Sequence, residues 1–160
     1  MSRTHRSGVA AARATGETDA AGAVTPLRSV AVRLWAAPAS LLGLALAVPW
    51  LALGGRMARR DGVLEITAPL RLLWPVRPGV HRRRAVLFDA ITFGHVVLAR
   101  SAAAHDALRT HERVHVRQYE AWGAFFLVAY PAESLLQWAR GRRAYLDNRF
   151  EVEARRLASP

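Results

Sequence analysis

His111-Glu112-Arg113-Val114-His115 sets two imidazoles four positions apart with a carboxylate directly after the first. On a helix, residues i and i+4 share one face, so both rings can reach a single zinc ion while Glu112 stands near enough to take a proton from water. With six histidines and seven glutamates in 160 residues, the pattern arises by chance about once in a hundred such chains. The chain has no cysteine, which removes thiolate-ligated zinc, iron–sulfur sites, thiol nucleophiles and disulfide scaffolds together. Metal ligands must then be histidines and carboxylates. A catalytic zinc takes three protein ligands and keeps one open position. No histidine follows His115, which excludes the three-histidine H-E-x-x-H-x-x-G-x-x-H arrangement. The downstream candidates are Asp147, Glu151 and Glu153, with the segment 148–154 (NRFEVEA) the best placed.

The elements that must position these residues follow from periodicity and punctuation. From residue 102 onward the reading is helical, with Asp106 as a plausible N-cap and Pro131 as the terminator of the helix that carries the motif. A second helical stretch covers 132–139, and a third follows Asp147 or Asn148. Upstream, 63–67 and 70–74 read as short strands, and the β-rich runs 85–88 and 91–99 suggest a hairpin around Asp89. The expectation is α+β: a small antiparallel sheet, an active-site helix and a glutamate-bearing helix. Residues 92–99 read as the strand just before the motif, at an edge or inside the sheet; only an edge could pair with an extended substrate. His95 on that strand and Tyr145, six residues before Glu151, are candidate donors to a developing oxyanion. Gln118, three residues after His115 on the same face, either supports that ring or, the commoner state of a helix glutamine, stands in solvent.

Residues 34–53 run for twenty positions without a charge, the length needed to cross a bilayer core. Trp35 and Trp50 lie near the ends, Arg33, Arg56, Arg59 and Arg60 bracket the segment, and Pro38 and Pro49 would kink it. Residues 1–33 read as a mobile basic tail. The net charge is +11, and every one of the 23 cations is arginine. These arginines gather beside apolar segments, which suits an anionic lipid surface, and no nucleic-acid-binding pattern accompanies them. Eight arginines follow the apolar segment within about thirty residues and five precede it, which predicts a cytoplasmic face for the C-terminal part. A second apolar stretch, 121–139, lies between His115 and Glu151. If both residues bind one ion, that stretch cannot simply span; a helical hairpin broken at Pro131 brings the chain back, with Trp122, Phe125, Phe126 and Trp138 suited to the core or the membrane surface.

H-E-x-x-H followed by a glutamate-bearing helix resembles the gluzincin metallopeptidases, and residues 149–154 (RFEVEA) are similar to the R-x-E-[FY]-x-A-D segment of the membrane-bound HtpX and prenyl-protein endopeptidases. The likeness covers about fifteen positions. It implies a zincin-like fold and a Zn²⁺-dependent peptidase acting on peptide or protein, with His111, His115 and Glu151 as ligands and Glu112 as general base. It departs at Arg155, where those families carry aspartate, so Asp89, Asp106 or Asp147 would have to orient a zinc histidine. The implied organisation is a tail (1–33), a membrane-anchoring helix (34–53) and a small metallopeptidase domain (54–160) at the inner membrane. The alternative is a non-enzymatic membrane protein that binds anionic lipid through its arginines and keeps a structural or vestigial metal site. No oligomeric state follows.

Overall fold

The computed structural model describes residues 11–69 and 89–159, with side chains from residue 29 onward. The strands expected at 70–74 and 85–88 lie outside the described residues.

Helix α1 covers Ala11–Ala52. It begins well before the apolar segment, within the stretch read from the sequence as a tail. Its inward stripe is made of small residues: Ala36, Ala39 and Ala47 are fully buried, and Gly43 lies between them. The large ones, Leu34, Leu41, Leu46 and Val48, point outward. Strands β1 (Arg56–Arg60) and β2 (Val63–Thr67) pair antiparallel. The turn between them is Asp61-Gly62, both left-handed with φ of 49° and 80°, a pair that suits the twist of a two-residue hairpin. Strands β3 (Ala90–Phe93) and β4 (Val96–Ala99) form a second hairpin. Its turn is Gly94-His95, which splits the single strand expected over 92–99; the first arm of the hairpin expected around Asp89 lies outside the described residues.

The sheet order is β1-β2-β4-β3. The two hairpins dock through their second strands, which run the same way with Leu64 opposite Val96 and Ile66 opposite Leu98. The sheet is therefore mixed, not antiparallel as expected. Both faces are covered, as residue alternation requires. Leu64, Ile66, Val96 and Leu98 pack on α1 around Ala47, while Val63 and Val97 meet Val116 of the next helix. A Cβ on Gly43 would lie 2.8 Å from the Phe93 Cβ and 2.9 Å from the Val96 Cβ. Gly43→Leu is therefore expected to destabilise the fold by about 1–3 kcal/mol, read as a lower midpoint in thermal unfolding. The apolar helix is a layer of the fold, and the division at residue 53 is not a packing boundary.

Helix α2 covers Ala102–Trp122, and its N-cap is Ser101, whose hydroxyl accepts the Ala104 N–H at 3.1 Å. Asp106, expected to cap, instead pairs with Arg109 at 2.9 Å. Arg109 also clasps Glu65 of β2 through two bonds of 2.9 and 3.2 Å. Those hydrogen bonds outweigh burial and hold the Glu65 carboxyl below the usual range. At Gly123, with φ of 58°, α2 gives way to a 3₁₀ turn, Gly123–Phe125, and then α3, Phe126–Ala139. Pro131 sits inside α3, where its missing N–H forfeits one bond without ending the helix. The break falls eight residues earlier than the sequence suggested, where a side chain would strike the Trp35 indole. Helix α4, Arg149–Ala158, is capped by Asn148 and not Asp147. Asn148 is wholly buried; it accepts the Phe150 N–H and donates to the Tyr130 carbonyl and the Ser134 hydroxyl, tying α4 to α3.

Candidate metal centre

Capping and packing bring one face of α2 against the first turn of α4. His111 and His115 stand on α2 with their Nε2 atoms 3.1 Å apart. Glu151 of α4 places Oε2 at 3.3 Å from the first and Oε1 at 3.2 Å from the second. Atoms that share an ion at about 2 Å in tetrahedral geometry lie roughly 3.3 Å from one another, so these separations fit a zinc-sized cation. His111, His115 and Glu151 form the one group of three or more such side chains within metal-binding reach among the described residues. Glu151 is 2 % exposed, yet its Oε2 has no hydrogen-bond partner. Arg155 Nη1, likewise without a hydrogen bond, stands 3.6 Å from that oxygen, so Oε2 lies between a guanidinium and the His111 imidazole.

The electrostatics agree. Burial pushes the Glu151 carboxyl up, but the adjoining imidazoles of His111 and His115 and the hydrogen bond from Tyr130 outweigh it and hold the group well below the usual carboxylate range. Burial pushes the His115 imidazole down, and its bonds to Glu151 and Gln118 reverse this, leaving it above its ordinary value. The two shifts are reciprocal: without an ion the Glu151 carboxylate is balanced by a protonated His115 ring, and an ion would take the place of that proton.

The tautomer of His115 follows from its neighbour. The Gln118 amide NH₂ donates to the Phe150 carbonyl at 3.1 Å and to Glu153 at 2.8 Å. Its Oε1 must then accept, at 2.8 Å, from His115 Nδ1–H, which leaves the Nε2 lone pair facing the cluster. Gln118 thus takes the orienting role for which Asp89, Asp106 and Asp147 were the alternatives; these three pair with Arg100, Arg109 and Arg143 instead. Gln118→Leu should weaken zinc affinity about 10- to 100-fold in a chelator-competition titration, with the helical content read by circular dichroism unchanged.

Glu112 is buried, and its Oε2 accepts a 2.6 Å hydrogen bond from the Thr92 hydroxyl on β3. Alternation along β3 produces this contact, because Ile91 and Phe93 turn to α1 while Ala90 and Thr92 turn to α2. His111, Glu112, His115 and Glu151 all open onto one cleft of about 840 Å³. Residues 89–93 of β3 form one wall, with Phe126, Leu127 and Tyr130 of α3 opposite. Since β3 is the outer strand of the described sheet, the edge at the cleft is 90–93 and not the longer run expected.

Of the other sequence candidates, Tyr145 lines this cleft, its phenol pushed up by burial and by the charge of Glu151. His95 does not reach it. At the β3–β4 turn its ring meets Glu120 at 3.0 Å beside a separate depression. That corrects its assignment as an oxyanion donor: a turn residue faces away from the strand wall that holds Thr92. Glu153 is exposed and binds Gln118, so Glu151 is the carboxylate of the cluster. Sequence reading missed Tyr130, whose hydroxyl donates to Glu151 Oε1 at 2.7 Å, and the role of Thr92; neither carries a spacing signal relative to the motif. Arg155, at the position of departure from the resembled families, approaches Glu151 Oε2 at 3.6 Å and lines the cleft.

No family model, curated protein or solved structure matches the chain.

Proposed function

We propose that the chain is a membrane-associated, zinc-dependent peptidase. The observation that carries this reading is the meeting, in one cleft, of a three-ligand cation pocket with a buried carboxylate held by a neighbouring strand. His111, His115 and Glu151 would hold the ion, which when bound supplies a Lewis acid that polarises a scissile carbonyl and makes water more acidic. Glu112 is the general base: Thr92 fixes Oε2, and the carboxylate takes a proton from the attacking water and passes it to the leaving amine. Tyr145, whose raised pKa keeps it protonated, donates to the developing oxyanion. The edge of β3 pairs with an extended peptide and lays its scissile bond along the cleft.

Association with the membrane is supported by α1, in which 29–52 is long and apolar enough to cross a bilayer, with a mean hydropathy of 1.7. The arginine-rich flanks support a place for the cleft at the cytoplasmic face of the inner membrane. The test is cleavage of a peptide library by detergent-purified protein. Cleavage abolished by chelation and restored by zinc is expected; protein loaded with zinc that cleaves nothing would refute the peptidase reading and leave a metal-binding membrane protein.

A further inference from the structure

We propose that α1 does not cross the bilayer, and that α1 and α3 together form one apolar raft lying in a single leaflet, with both chain ends on the same side. This rests on the membrane attachment read above and deepens it by naming how the lipid is met.

The first observation is what lies beside α1. A crossing helix meets hydrocarbon or other apolar helices along its whole length. Here the stripe from Ala36 to Ala47 is sealed by the chain's own α2, 3₁₀ turn and sheet. The β1–β2 hairpin lies beside the apolar segment, with Leu64 and Ile66 of β2 in the cluster around Ala47. At one end a Cβ on Gly55 would lie 2.6 Å from the Trp50 carbonyl and 2.8 Å from that of Thr67, and at the other end Gly62 lies against the Arg33 guanidinium. Strand β1 of that hairpin is exposed throughout and carries Arg56, Arg59 and Arg60. Any placement that threads α1 through the hydrocarbon carries those guanidinium groups in with it, and among the described residues only Arg60 has a carboxylate partner, Glu65 at 3.6 Å. Laid in the plane of the membrane, α1 turns Leu34, Leu41, Leu46 and Val48 to lipid and keeps the sheet in water.

The second observation is independent: α3 is inside out. Its polar side chains turn toward the protein, where Gln137 donates to Glu133 at 2.7 Å and Ser134 accepts from Asn148 at 2.8 Å. Its outer surface, with Phe125 just ahead of it, is apolar: Phe125 is 68 % exposed, Val128 69 %, Leu135 61 % and Trp138 67 %. Water is a poor partner for such a face, and its continuity with α1 says what covers it. The two apolar surfaces meet where the Trp35 and Phe125 rings sit 6.0 Å apart. Exposed Arg140, Arg142 and Arg143 close the far end of α3, where anionic headgroups would meet them. The occupant is therefore the acyl region and headgroups of an anionic bilayer.

The natural absence of cysteine makes the test direct. A Ser2→Cys/Ser159→Cys double variant, in sealed phosphatidylcholine–phosphatidylglycerol vesicles, is treated with a membrane-impermeant maleimide, and labels per chain are counted by mass. An in-plane chain carries two labels or none, whatever its orientation. A crossing chain carries one, and that result overturns the proposal. Separate Leu41→Cys, Val128→Cys and Leu135→Cys chains carry a spin label whose collision with oxygen and with a water-soluble nickel chelate reports depth. All three are expected in the hydrocarbon. A label at 41 in lipid with 128 and 135 in water removes α3 from the raft. Labels at 128 and 135 shielded from both quenchers and coupled between chains assign that face to a second copy, again overturning it. All three in water would refute membrane attachment itself, leaving the metal centre to be judged on its own test.

Discussion

Alanine at His111 or at Glu151 is expected to take bound zinc from about one per chain to less than a tenth in detergent-purified protein dialysed against trace metal. Both losses are expected because the pocket supplies only three donors, one from each of His111, His115 and Glu151. Removing one leaves two, too few to displace water from the ion at neutral pH. The pair of variants tests more than either alone. His111 belongs to the sequence motif, while Glu151 lies 36 positions beyond His115 and joins the pocket only if α4 packs as described. Zinc retained by Glu151→Ala but lost by His111→Ala would break the centre at its long-range member. The readout is metal content by inductively coupled plasma spectrometry, with circular dichroism to show that the helices persist.

Glu112→Gln should keep about one zinc per chain and lose peptide cleavage by roughly 10²–10⁴-fold, the contribution expected of a positioned general base. Glutamine has the same shape and can still meet the Thr92 hydroxyl, so the cleft is preserved; what disappears is the ability to accept a proton. The two experiments have opposite signatures. Ligand variants lose metal and activity together, whereas Glu112→Gln separates them. Equal cleavage by Glu112→Gln and wild type would remove Glu112 from the chemistry and the peptidase reading with it.

The short-range half of the site was legible in the sequence. His111, Glu112, His115 and Gln118 lie within one helical stretch, and a period of 3.6 places the two histidines on one face without knowledge of the rest. Glu151 was legible through a resemblance of a few residues, and Asn148 through its capping chemistry. What escaped depends on packing across the chain. Thr92 reaches Glu112 only because two hairpins dock in parallel, and a pairing set by the 22 residues between Thr67 and Ala90 leaves no local signature. The β1 strand was hidden by its composition: RMARR reads as a basic collar, although the Asp61-Gly62 turn after it was a usable hairpin signal. The end of α2 was misplaced because Pro131 punctuates more loudly than Gly123, while the deciding contact, the Trp35 indole, lies 88 positions upstream.

The Thr92 hydroxyl joins two tasks that are usually kept apart. In the proposed peptidase, the strand that would offer its edge to an incoming peptide is the same strand whose side chain holds Glu112, four residues long and, among the described residues, tethered on one side only. A peptide that added itself to this strand would stiffen the mount of Glu112 as it bound. Occupancy far along the cleft would then be felt at the proposed proton-transfer atom, and a long substrate would be turned over faster than a short one even where both bind equally well.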